Sequence, residues 1–295
     1  MNAHPTSRRF VSQRLKLHYA DWGNDAAPTL ILVHGGRDHC RSLDAVARAL
    51  ASDYHVIAPD LRGHGDSDWS PDGDYSMLAF VYDFAQLIHQ LGPAPVTIVA
   101  HSMGGNIAIR YAGLYPANVA KLVAIEGLGL SPAMQAERDK IAAPDRLRKW
   151  IEDKRAAAAR TPKRYASLDA ALARMQDENK FLTDEQARHL TEHGATANED
   201  GTWSWKFDNY VNVWPPFDLP LADVHSLWAA IECPTLLVYG EKSWASNPEK
   251  DGRAGHFRNA RVALIEGAGH WVHHDQFIRF LAEVRAFLSA PGSAA

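Results

Sequence analysis

The chain reads as an α/β fold: a mostly parallel central sheet with helices on both faces and one helical insertion. Three observations predict it. Over residues 1–127 of the 295, short and continuously apolar runs alternate with amphipathic stretches, the pattern of parallel strands joined by crossover helices. Over residues 128–230 that rhythm gives way to helix-like segments rich in Glu, Arg, Lys and Ala. From residue 231 strand and helix patterns return. Residues 1–127 and 231–295 are therefore expected to form one core, and residues 128–230 a helical cap, or lid, inserted after a core strand.

Element by element, strands are expected at 15–22, 29–33, 55–59, 96–100 and 121–125, with helices at 43–51, 77–91 and 103–115 between them. Inside the insertion, 145–160 and 184–193 read as helices. Beyond it, strands are expected at 235–239 and 261–265, and one closing helix over 271–288. The tail, 289–295, is made of small residues and is expected to fray.

Composition removes several function classes. Apolar residues make up 46% and charged residues 22% of the chain, which suits a globular protein with a sizeable core rather than a disordered one. A formal net charge of −4 offers no basic face for phosphate backbones, so no nucleic-acid partner is expected. No apolar run reaches signal-peptide or membrane-span length, and a cytoplasmic location is the default expectation. With only Cys40 and Cys233, neither a disulfide framework nor a zinc cluster is expected.

The motif with the most chemical content is Ala100-His101-Ser102-Met103-Gly104-Gly105, which follows an apolar strand and opens a helix. A serine on so tight a turn needs small neighbours, and it is projected above the sheet edge with the helix dipole beside it. Upstream, His34-Gly35-Gly36 ends an earlier strand with glycines, so a backbone N–H can approach a substrate oxygen. The amides of Gly36 and Met103 are the candidate oxyanion hole. Downstream, Gly269-His270 follows the last core strand, and His270 is the candidate general base for Ser102. His273 and His274 follow it, but no further ligand set accompanies them, so no metal is expected.

Together these motifs resemble the α/β-hydrolase superfamily, with 15–126 and 233–288 matching the core and the insertion matching a cap in position only. The resemblance implies the α/β-hydrolase fold and a catalytic triad. In most of the family the acid is an aspartate just after the strand ending here at Gly240, but this loop reads Gly240-Glu241-Lys242-Ser243, and a serine cannot supply the anion. Some members, haloalkane dehalogenases among them, place the acid after the strand next to the nucleophile strand. In this chain that position is Glu126, which becomes the candidate acid, with Glu241 and Asp251 in reserve. The loop Asp60-Leu-Arg62-Gly63-His64-Gly65 also resembles the family's; it is read as a turn ordered by Arg62 and glycines.

A serine nucleophile excludes the family's dehalogenase and epoxide branches, which need a carboxylate nucleophile. The expectation is a carboxylesterase-like hydrolase acting on small-molecule esters through a Ser-His-Glu triad and an acyl-enzyme, with no cofactor. Carbon–carbon bond hydrolysis, thioester hydrolysis and a weakly catalytic receptor remain alternatives. Trp203, Trp205, Trp214 and Phe217 suggest an apolar substrate pocket, although cap-to-core packing explains them equally. Arg37, Asp38 and His39 are read as forming the loop's own salt bridges in preference to meeting a polar substrate group.

Overall fold

The computed structural model describes residues 4–290. The chain enters through an antiparallel hairpin, β1 (Thr6–Ser12) and β2 (Leu15–Asp21). It continues through β3 (Thr29–Val33), α1 (Asp44–Leu50), β4 (His55–Pro59), α2 (Met77–Leu91), β5 (Val96–His101), α3 (Met103–Leu114) and β6 (Val119–Ile125). Four helices follow: α4 (Pro132–Asp139), α5 (Ala143–Ala159), α6 (Leu168–Glu178) and α7 (Asp184–Gly194). A short hairpin of β7 (Ala195–Ala197) and β8 (Trp203–Trp205) then leads to α8 (Leu221–Ala230), β9 (Thr235–Gly240), β10 (Ala260–Ile265), α9 (Val272–Asp275) and α10 (Phe277–Ser289).

Eight strands form one sheet in the order β1-β2-β4-β3-β5-β6-β9-β10, antiparallel at its first two interfaces and parallel from β4 onward. Strand period decides which core each residue joins. Ile31, Ile98, Leu122 and Leu237 pack with α2, α3 and α8 on one face. Leu30, Val99, Val123 and Leu236 pack with α1 and α10 on the other. β5 is buried at all six positions, as a strand covered on both sides must be. Helix α8 lies directly on α3, where Val224 and Trp228 join the first core.

Three local features differ from the sequence expectation. Strand β1 is mostly solvent-exposed along its length, so its apolar signal is too weak to read. The β7–β8 hairpin has strands of three residues, too short for alternation to register. The closing helix is broken at Gln276, whose φ of −136° separates α9 from α10. Of the tail, residues 291–295 lie outside the described residues. Among the described residues no helix is long and apolar enough to cross a membrane.

Candidate active site

Ser102 sits between β5 and α3 with φ 51° and ψ −117°, a conformation that L-residues rarely adopt and that marks stored strain. Its amide donates to the carbonyl of Ile125 (2.8 Å), tying the turn to the end of β6. Two glycines make the turn possible. A Cβ on Gly104 would lie 2.4 Å from the carbonyl oxygen of His34, and one on Gly105 would lie 2.6 Å from Cα of Gly127. Backbone meets backbone at both places, so no side-chain movement would relieve a larger residue. The N-terminus of α3 is thereby seated between the ends of β3 and β6.

Glu126 follows β6 with φ 52°, and its side chain is fully enclosed. A buried carboxylate is costly unless its lone pairs are filled, and here they are. Oε1 accepts from the Gly240 amide (2.8 Å), and Oε2 accepts from the Ser243 hydroxyl (2.5 Å) and from Nδ1 of His270 (2.5 Å). Because an ionised carboxylate only accepts, the proton of His270 lies on Nδ1. Nε2 is then free to accept, and it lies 3.0 Å from Oγ of Ser102. Ser102, His270 and Glu126, drawn from three separate segments, thus form one continuous hydrogen-bonded line. The reserve acids do not join it: Glu241 accepts from the Gly267 amide (2.9 Å), and Asp251 pairs with Arg253.

The loop after β3 is anchored by His34, which is completely buried. Its Nδ1–H donates to Gly35 O (2.6 Å), and its Nε2 accepts the amide of Leu61 (3.0 Å). Burial lowers its pKa to about 3, keeping it a neutral bracket between β3 and the loop after β4. Next along, Gly36 is exposed and its Cα faces the Met103 side chain, so that a methyl added there would lie 3.8 Å from Sδ. Neither the Gly36 nor the Met103 amide donates a hydrogen bond among the described residues. Arg37 corrects the sequence reading. Asp38 spends its oxygens on the Ser42 hydroxyl (2.8 Å) and the His39 amide (2.8 Å), and His39 reaches Leu190 O across to α7 (3.0 Å). Arg37 itself is exposed, forms no ion pair among the described residues, and has φ 59°. Three of the five non-glycine residues with positive φ, namely Arg37, Ser102 and Glu126, therefore belong to this site, as expected where function holds backbone strain in place.

Two features escaped sequence reasoning. His101 is buried, and its Nε2–H donates to the carbonyl of His270 (3.0 Å), holding the backbone behind the imidazole. Burial pushes the His101 pKa well below the ordinary value, so it performs this as a neutral ring. Ser243, which stands where the family places its acid, instead donates to the acid from the neighbouring strand. The anomaly at that position was its only signal in the sequence.

A cavity between the loop after β3 and the inserted segment is lined by Arg37, Met175, Leu190, Trp205, Lys206 and Trp271, among others. A second cavity shares Trp205 and Lys206 with it and opens toward Arg164 and Trp69. Of the four aromatics singled out in the sequence, only Trp205 lines either cavity. Trp203 pairs with Tyr165, Phe217 lies under Arg146, and Trp214 is largely exposed. Trp244, also exposed, has its ring 4.9 Å from that of His270.

Donor groups that could hold a cation gather at His18, Cys40 and Asp60, and at Asp44, His189 and His193. Both are already hydrogen-bonded assemblies. Asp60 accepts from His18 and from the amides of Cys40 and Asp66, and Asp44 accepts from Arg41. Burial works against the Asp60 charge, yet His18 and His34 hold its pKa well below the carboxylate range. The Cys40 thiol is pushed far up by burial and is unsuited to nucleophilic chemistry. Arg62, as the sequence suggested, orders its turn, pairing with buried Asp83 through two bonds of 2.6 and 2.8 Å.

An eight-stranded, mostly parallel sheet with a strained serine on the turn after a central strand defines an α/β protein of hydrolase architecture. The family model of the alpha/beta hydrolase fold matches residues 28–277, and the chain belongs to that family. It is 27% identical over 277 residues to an esterase of Mycobacterium tuberculosis, covering 90% of this chain and 84% of the relative. It is 32% identical over 245 residues to the 3-hydroxybutyrate-oligomer hydrolase of Cupriavidus necator, covering 77% of each. A hypothetical protein from Pseudomonas aeruginosa shares the fold with a TM-score of 0.83 at 24% identity, covering 96% of this chain and 99% of that one.

Proposed function

We propose that this chain is a serine hydrolase of carboxylic esters, with Ser102 as nucleophile, His270 as general base and Glu126 as the acid that orients it. The observation that carries the reading is the line of hydrogen bonds from Glu126 through His270 to Ser102, 2.5 and 3.0 Å long. In this mechanism Oγ of Ser102 attacks the ester carbonyl while its proton passes to Nε2 of His270. The resulting oxyanion is received by the amides of Gly36 and Met103, helped by the N-terminus of α3. His270 then protonates the departing alcohol, leaving an acyl group on Ser102. A water, deprotonated by the same imidazole, releases the acid and restores the serine. Glu126 keeps the Nδ1 proton in place and stabilises the imidazolium formed in each half-reaction.

Carboxylic esters are favoured over thioesters and carbon–carbon bonds because relatives spanning most of the chain are named as an esterase and an oligomer hydrolase. The 128–230 segment is proposed to act as the lid. Its contacts with the core support this: Lys206 pairs with Asp66 (2.8 Å), Gln186 donates to His274 O (3.0 Å), and Leu190 receives His39. Met175, Leu190, Trp205 and Trp271 line a cavity of about 20 Å³ next to Arg37, and they offer apolar surface near the site that a small substrate could use once the lid moves. The test is turnover of 4-nitrophenyl butyrate by the wild type and by Ser102→Ala. A loss of roughly a thousandfold or more is expected; equal rates would overturn the reading.

A further inference from the structure

Resting on that reading of the site, we infer that Arg37 makes this a hydrolase of esters that carry a carboxylate a few carbons from the scissile carbonyl. Four observations converge. Arg37 directly follows Gly36, the candidate oxyanion donor, so its Cα lies about 3.8 Å from that of Gly36. It is held in the left-handed region (φ 59°) by a loop whose next two residues are buried and hydrogen-bonded. It lines the cavity between core and lid. Finally, its guanidinium forms no ion pair or hydrogen bond among the described residues, whereas the other cations beside the cavities are engaged: Lys206 with Asp66, and Arg164 with Asp200.

The cavity's charge balance points the same way. Its one carboxyl group is Asp38, which is buried and faces Ser42 and the His39 amide; burial raises its pKa. It supplies no counterion to Arg37. Of the two cations that line the cavity, Lys206 is paired with Asp66 and Arg37 is not, so an incoming anion would complete what the protein leaves open. Guanidinium binds carboxylate through two parallel N–H donors, which fixes orientation as well as affinity. Met175, Leu190 and Trp205 line the same cavity as Arg37, and their apolar surface suits a short methylene spacer between the two ends. The ligand class is the half-ester of a short dicarboxylic acid or an acyl group with equivalent spacing.

The test compares mono-4-nitrophenyl glutarate, which is anionic, with 4-nitrophenyl butyrate, which is neutral and of similar size. The wild type should show the higher kcat/KM on the glutarate half-ester, and added salt should shrink that advantage. In Arg37→Gln the ratio of the two kcat/KM values should fall about ten- to a hundredfold, chiefly through KM for the anionic ester. Arg37→Lys should recover part of it. Free glutarate should inhibit the wild type competitively, which keeps the inference testable should the altered loop fail to fold. Equal ratios in wild type and Arg37→Gln, or no competitive inhibition by glutarate, would overturn it while leaving the ester-hydrolase reading intact. Turnover of neither ester would instead remove the hydrolase reading and this inference together.

Discussion

The hydroxyl of Ser243 lies 2.5 Å from Oε2 of Glu126, the same carboxylate oxygen that receives Nδ1 of His270. Two strand ends thus meet at one carboxylate oxygen: the carboxylate follows β6 and holds the imidazole, and a hydroxyl from the loop after β9 holds the carboxylate. This geometry predicts that the acid can be moved. Glu126→Gln should lower ester turnover by about a hundred- to ten-thousandfold while the protein still folds. Adding Ser243→Asp to that variant should restore at least tenfold, since the side chain at 243 and Nδ1 of the ring each lie 2.5 Å from the same oxygen of Glu126. Ser243→Asp alone should impair the enzyme, because two adjacent carboxylates repel. Steady-state turnover of the three variants decides it, and near-normal activity of Glu126→Gln would contradict the role given to Glu126.

The turn that carries Ser102 makes a stability prediction. Gly104→Ala places a methyl 2.4 Å from a backbone oxygen, so α3 must shift away from β3. The expected cost is about 1–3 kcal/mol or more, with a loss of activity as the serine and the Met103 amide move together. Gly255→Ala, where nothing lies within 4 Å and φ is unexceptional, should be close to neutral. Urea unfolding of the two variants checks the contrast, and equal stabilities would contradict the packing described.

Acid should unfold this protein earlier than its carboxylates alone would. His34 and His64 are completely enclosed, and burial lowers their pKa values from 6.5 to about 3 and about 4. In the unfolded chain both titrate near the ordinary histidine value. Between about pH 6.5 and pH 4 the unfolded state therefore binds more protons than the native one, so stability declines as pH falls through that window. Melting temperatures from pH 7.5 to 4.5 should drop steadily from just below neutrality, with net proton uptake on unfolding at pH 5. A flat profile between pH 7 and 5 would contradict the burial of these rings.

Much of this was legible in the sequence because the signals are local. A buried parallel strand is a short apolar run, so β3, β5, β6 and β9 could be read directly. The serine turn declares itself through Gly104 and Gly105, whose need for glycine arises within a few residues of Ser102. Glu126 was found because position 243 lacked an acid, and the structure brings Glu126 to His270. What could not be read depends on distant segments meeting. The hold of His101 on the His270 carbonyl joins residues 169 apart in sequence, and the contribution of Met175, Leu190 and Trp271 to the cavity depends on how the inserted helices settle on the core. Arg37 shows the same limit: a loop rich in charge suggests internal salt bridges, yet Asp38 turns inward to Ser42 and leaves the arginine unpaired.

The most direct test of the central claim is covalent labelling with a fluorophosphonate, followed by intact-mass and peptide mass spectrometry. A serine activated by an adjacent general base attacks the phosphorus and expels fluoride, whereas an ordinary surface serine does so far more slowly. A single adduct per chain on the peptide containing Ser102, absent in Ser102→Ala and much slower to form in His270→Gln, is the predicted result. A folded wild type that stays unlabelled, or that carries the adduct on another residue, would contradict it.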